Sequence, residues 1–157
     1  MIRPARAGDA PVIAAFWNPI IRDTTVTFSP LEKTVADIEA MIATRQAFLV
    51  IDRGQGAEGF ATYTQFRSGP GYVFAQEHTV ILAPGGRGQG AGRALMTALE
   101  DRARQHGHHA MIGGVSGSNP QGIAFHARIG YAEVARMPQV GWKLGTWHDL
   151  VFMQKLL

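Results

Sequence analysis

The chain has no cysteine among its 157 residues. That absence excludes disulfide bridges and zinc sites built on thiolates. It also excludes a cysteine-bound covalent intermediate, so any group this protein transfers is expected to pass directly to its acceptor. Charge is sparse as well, with Asp, Glu, Lys and Arg making up 17% of residues and a net charge of +3. The basic residues are dispersed, without runs or interleaved aromatics, so no nucleic-acid partner is expected. No apolar stretch approaches the roughly 20 residues that span a bilayer. Met1-Ile2-Arg3-Pro4 does not read as a secretory signal, and a cytoplasmic protein without a membrane partner is expected. There is no repeat and no linker. A hydrophobic share of 46% over this length supports a single domain, 1–157, with its own core.

What the chain has in quantity is glycine, 19 residues, densest from Gly85 to Gly92. This stretch follows the apolar run Thr79-Val80-Ile81-Leu82 and precedes an amphipathic segment. A strand, a glycine turn and a helix in that order aim unpaired backbone N–H groups and the positive end of a helix dipole at one point. Glycine lets a ligand approach the backbone closely, and a phosphate suits the site. A Walker loop is excluded because no Lys lies between Gly85 and Leu95. A dinucleotide fingerprint, built from Gly86, Gly88, Gly90 and Ala91, lacks the later acid for a ribose, since that region reads HGHHAMIGGVSG.

The remaining periodicities give a mixed order. A strand is expected at Ile2–Pro4, then a helix from Asp9 to Ile20 with Val12, Ile13, Phe16 and Trp17 on its apolar face. A second helix runs Thr34–Arg45, followed by strands 47–52, 59–66 and 72–82. A helix 90–105, a strand 109–115, a helix 120–129 and two C-terminal strands complete the chain, with 29–30 and 141–146 expected as loops near the acceptor. The fold class is α/β: a single mixed, mostly antiparallel sheet flanked by helices.

Arg87-Gly88-Gln89-Gly90-Ala91-Gly92 resembles the pyrophosphate loop of the GNAT acetyltransferases, Gln/Arg-x-x-Gly-x-Gly/Ala. A second segment, NPQGIAFHARIGY, places Asn119, His126, Gly130 and Tyr131 where that superfamily has an Asn near pantetheine, a Tyr or His near the sulfur, and a helix-ending Gly-aromatic pair. Asn119 with Pro120 also makes a good helix start and Gly130 a good helix end, so the cap and ligand roles of Asn119 coexist. Four further segments, IRPARAGD, NPIIRDTTVTF, QEHTV and MPQVGWKLGTWHDLVFMQ, resemble the phosphinothricin and methionine sulfoximine N-acetyltransferase branch over nearly the whole chain.

The resemblance implies acetyl-CoA as co-substrate, held along Val80, Ile81 and Leu82, at Arg87 to Gly92 and by Asn119, with no metal. It implies a small amine acceptor, such as an amino acid with a phosphinate, sulfoximine or sulfone side chain. An attacking amine must first lose a proton, and Glu77, in an apolar context beside the loop, is the expected base, directly or through water. His126 is the expected acid, or hydrogen-bond donor, toward the departing thiolate. A backbone N–H near Val80 would meet the oxyanion. His78, next to Glu77, should point to the opposite face and serve structure. His106, His108 and His109 straddle an element boundary and are not expected to bind metal. Arg67 is expected to hold the acceptor's carboxylate, with Tyr72, Thr24, Thr25 and Phe28 shaping the pocket and Lys143 on a C-terminal loop. The methionine sulfoximine relatives carry a second Arg where Val73 stands. The resemblance also implies a homodimer, with apolar Val140, Trp142, Leu144 and Trp147 at the interface. Two alternatives stay open: a non-catalytic acyl-CoA sensor module, and an acetyltransferase for another amine.

Overall fold

The computed structural model describes residues 1–157 and builds them into one seven-stranded sheet with helices on both faces. The elements are β1 (Ile2–Pro4), α1 (Ala10–Asp23), α2 (Val35–Thr44), β2 (Phe48–Asp52), β3 (Ala57–Gln65), β4 (Ala75–Leu82), α3 (Ala91–Gln105), β5 (Ala110–Ser116), α4 (Pro120–Arg128), β6 (Ala132–Lys143) and β7 (Thr146–Leu156). The strand order is β1-β2-β3-β4-β5-β7-β6. The expected sheet, mixed and mostly antiparallel, is the one observed. No helix is long and apolar enough to cross a membrane.

Side-chain alternation along the strands explains the two-sided core. Ala47, Leu49, Ile51, Ala61 and Tyr63 pack on one face against Leu95, Met96 and Leu99 of α3. Phe48, Val50 and Phe60 pack on the other against Ile13, Phe16 and Trp17 of α1 and Ile38 of α2. The Thr34 hydroxyl caps α2 by accepting from Asp37 N at 3.0 Å, and Asp37 answers at Thr34 N. Buried Glu100 of α3 is satisfied by Lys155 Nζ at 2.7 Å and Tyr131 OH at 3.1 Å, which pins α3 to the C-terminal strands.

One pairing departs from the rest and makes the site. β4 and β5 are parallel, and they pair only at Ala75↔Ala110, Gln76↔Met111 and Glu77↔Ile112. Beyond Glu77 the strands separate, β4 staying with β3 as far as Leu82 and β5 staying with β7 as far as Ser116. The sheet is therefore split by a wedge whose apex is Glu77.

Two expected boundaries are corrected. The strand expected from Tyr72 begins at Ala75, because Pro70–Tyr72 forms a 3-10 turn entered through Gly69 at φ +113°. The segment 141–146, expected as a loop, is a hairpin in which Lys143 pairs with Thr146. Its two turn residues, Leu144 at φ +51° and Gly145 at φ +75°, have the sign that a tight two-residue hairpin requires.

Candidate active site

The wedge opens into a cavity of about 550 Å³. It is walled by Glu77 to Leu82 of β4, Gly114 to Ser116 of β5, Asn119, Phe125 and His126 of the α4 segment, and Ile20, Val26, Thr27, Phe28 and Leu150 on the far side. Strand parity sorts these walls. Glu77 and Gly114 lie on the α1/α2 face, whereas His78, Val80 and Leu82 lie on the α3/α4 face. The cavity thus passes through the sheet, from the helix face bearing α3 and α4 to the face bearing Glu77.

At the α3 end, Gly88 and Gly90 hold φ of +81° and +74°. Gly90 is the N-cap of α3 and no side chain caps the helix, so first-turn N–H groups point outward unpaired. No protein atom lies within 4 Å of where a Cβ would stand on Gly88 or Gly90. The backbone geometry, not crowding, calls for glycine there. Gly92 differs, because a Cβ on it would sit 3.1 Å from the Phe125 ring. Arg87 lines the cavity, while Gln89 is exposed and accepts from Arg53 Nη1 at 2.6 Å. Val80, Ile81, Leu82, Arg87, Gly92 and Asn119 all reach the same cavity wall. Asn119 also caps α4, its Oδ1 accepting from Gly122 N at 3.0 Å.

His126 is buried, and both its ring nitrogens are engaged. Nδ1 lies 2.7 Å from Gly122 O, which only accepts, so Nδ1 carries the proton. The neutral ring then accepts at Nε2 from His78 Nε2, 3.1 Å away. The two ring planes differ by 17° with centroids 5.0 Å apart. His78 Nδ1 is left as an unpartnered buried acceptor. Burial pushes the His78 imidazole down to about 3 and lowers that of His126 as well. Both His126 ring nitrogens are therefore engaged within the protein.

The Glu77 carboxylate, at the apex, forms no hydrogen bond or ion pair with the protein. Burial without a cation partner raises its carboxyl above the usual carboxylate range. Two consecutive glycines in β5 make room for these groups. A Cβ on Gly113 would fall 2.7 Å from His78 Nε2 and 2.9 Å from His126 Nε2, and one on Gly114 would fall 3.0 Å from Glu77 Oε1. One glycine clears each face of the sheet.

The expected acceptor residues divide. Phe28 lines the cavity and stacks on His148, with centroids 5.9 Å apart. Lys143 is 4% exposed and donates Nζ to Thr27 O, so it braces the loop after α1. Arg67 is exposed, its guanidinium 5.7 Å over the Tyr72 ring, and neither residue lines the cavity. Thr25 lies in the same loop as Phe28 but outside the lining. The histidines near the end of α3 have separate partners: His106 Nδ1 meets Tyr63 OH at 2.6 Å and His108 Nε2 meets Gln46 Oε1 at 2.7 Å.

Residues 15–131 match the profile described as the Acetyltransferase (GNAT) family. The chain belongs to the GNAT acetyltransferase family. It is 34% identical to an L-amino acid N-acyltransferase, MnaT, of Escherichia coli (strain K12), over 98% of this chain and 91% of that protein. It is 35% identical to an L-methionine sulfoximine/L-methionine sulfone acetyltransferase of Pseudomonas aeruginosa, over 98% of this chain and 92% of that one. Among solved structures, a putative acetyltransferase of Salmonella typhimurium with its cofactor acetyl-CoA superposes with a TM-score of 0.95 at 33% identity, covering 100% of this chain and 93% of that chain.

In this GNAT enzyme the cleft between parting strands, the uncapped helix N-terminus and the glycine loop fit acetyl-CoA as co-substrate. Sequence reasoning missed Ile20, Ser116, Gln121, Phe125 and Leu150, which line the cavity. It also missed Gly113, Gly114 and His148. Only the glycine pair left a signal, since two glycines inside a strand mark a close approach.

Proposed function

We propose that this protein moves an acetyl group from acetyl-CoA directly to the α-amine of a small amino acid or analogue of the methionine sulfoximine, methionine sulfone or phosphinothricin type. The observation that carries this reading is the unpaired, desolvated carboxylate of Glu77, set where a cavity passes through the sheet. When bound, acetyl-CoA supplies the activated acyl group. The loop Arg87–Gly92 and the α3 N-terminus hold its phosphates, and Asn119 and the β4 edge from Val80 to Leu82 hold its arm. Glu77 takes the proton that the acceptor ammonium must lose, and the absence of a neighbouring cation keeps it basic enough to do so. His126, tied to His78, shapes the thiol side and orders α4. A sensor module without catalysis would have no use for an unpaired, half-buried acid, which costs stability.

Arg67 meets the acceptor's carboxylate at the rim, beside Tyr72. The protein, acetyl-CoA and a panel of such amino acids, followed by a thiol reagent, test the activity; no thiol release with any acceptor would sink it. In the same assay Arg67→Ala is expected to raise the acceptor KM by only about 2- to 5-fold, because an exposed ion pair is worth little. Acetyl-CoA KM should not move. If that parameter moves and acceptor KM does not, Arg67 serves the cofactor instead.

The enzyme works in the cytoplasm as a homodimer, on this proposal. Support comes from β6 and its hairpin, where Val140, Trp142, Leu144 and Trp147 are each 48% to 59% exposed. Light scattering at micromolar concentration should return twice the chain mass of 17.0 kDa. A monomer overturns the dimer and leaves the chemistry standing.

A further inference from the structure

Two loops that reach the cavity also meet β7. One, Thr24 to Phe28, follows α1; the other, Gly117 to Asn119, joins β5 to α4. His148 of β7 stands between them, 6% exposed. Its Nε2 lies 3.0 Å from Lys143 O, which only accepts, so Nε2 carries the proton. The lone pair at Nδ1 is thereby presented to Ser118 Oγ at 2.8 Å, and that hydroxyl donates. The ring face stacks on Phe28 with planes 21° apart. Phe28 is pressed on another side by the backbone of Gly141, where a Cβ would come within 2.6 Å of the ring. Lys143 closes the circuit, its Nζ donating to Thr27 O.

We propose that His148 is a positioning residue that sets the acceptor wall, Phe28, by reference to the loop carrying Asn119. The inference rests on the acetyltransferase reading above. Asn119 follows Ser118 directly, so a co-substrate arm seated at Asn119 stiffens the loop from which Ser118 holds His148. A stiffer His148 face fixes the Phe28 ring, and the acceptor then meets a wall already in place. By linkage, an acceptor that packs on Phe28 tightens the cofactor side by the same factor. Imidazole suits this place because one flat ring supplies a donor, an acceptor and a stacking face. Phenylalanine keeps only the face, and glutamine keeps only the polar ends.

Ser118→Ala is the cleanest probe, since Ser118 lines no part of the cavity and loses only its hydroxyl. Thiol release is followed with L-methionine sulfone as acceptor, giving kcat and both KM values. Ser118→Ala should raise the acceptor KM about 3- to 10-fold, the scale of one hydrogen bond, and by the same linkage the acetyl-CoA KM at saturating acceptor, with kcat within about 2-fold. His148→Phe should show the same split, and Ser118→Thr, which retains the hydroxyl, should restore the acceptor KM. A residue that merely filled space would lower thermal stability and leave the acceptor KM unmoved. If the wild type turns over L-methionine sulfone and both variants keep its acceptor KM, the positioning role falls alone. If the wild type releases no thiol with any acceptor, the acetyltransferase reading falls and takes this inference with it.

Discussion

Glu77→Gln is expected to lower kcat by about 10²- to 10⁴-fold, the usual contribution of a general base. The amide retains the size of the side chain and fits the space left by Gly114, so the fold is unaffected. What it lacks is a site of sufficient basicity for the ammonium proton. Acetyl-CoA KM should stay near the wild-type value, because Glu77 faces the α1/α2 side while the glycine loop lies at the start of α3. The pH dependence gives an independent reading. Burial raises the Glu77 carboxyl, so the base is protonated, and activity lost, at a pH above the ordinary carboxylate range. The acid limb of kcat/KM should lie there in the wild type and vanish in Glu77→Gln. A variant that retains kcat within about 10-fold, with the limb unchanged, removes Glu77 from the chemistry.

Much of this site was legible because its determinants are local. The glycine loop, the helix that follows it and the Asn119-Pro120 start of α4 are each specified by neighbours in sequence, through left-handed backbone and capping. Strand alternation alone placed Glu77 and His78 on opposite faces, as observed. The wedge was not legible. Nothing in β4 or β5 states that three residue pairs form and the rest part, since that choice depends on what fills the gap. The His78–His126 bond joins positions 48 residues apart, and the Lys143–Thr27 bond joins positions 116 apart. The hairpin at Leu144 was hidden for a different reason. Leucine is a rare occupant of positive φ, so the turn carried only half of its usual signal. Arg67, read from a short motif near the acceptor strand, lies exposed with its guanidinium over the Tyr72 ring, outside the cavity lining.

The protein should lose stability as pH falls from about 6.5, where an exposed imidazole begins to titrate, well before its carboxylates do. His78 is the main cause. Unfolded, it binds a proton near 6.5; folded, it resists protonation until about 3. His126 is lowered in the same direction by burial. Between these limits the unfolded chain holds more protons than the native one, so the stability is fully present above 6.5 and drains away below it. His78 contributes a slope of about 1.4 kcal/mol per pH unit, or on the order of 2 kcal/mol at pH 5; His126 adds to the loss in the same direction. Paired Asp9 and Asp52 are held below their usual range by Arg3 and by backbone donors, so they add to acid loss only at still lower pH. Glu77 works in the opposite sense, gaining its proton early in the folded state. Urea unfolding at pH 7.5 and pH 5 measures the difference, at least about 2 kcal/mol from His78. His78→Phe removes the larger titration and should shrink the difference, although it also breaks the tie to His126 and lowers stability at both pH values. Equal unfolding free energies at the two pH values in the wild type would mean that His78 and His126 take up protons in the fold as readily as in the unfolded chain, and burial of a neutral pair could not be what sets the acid sensitivity.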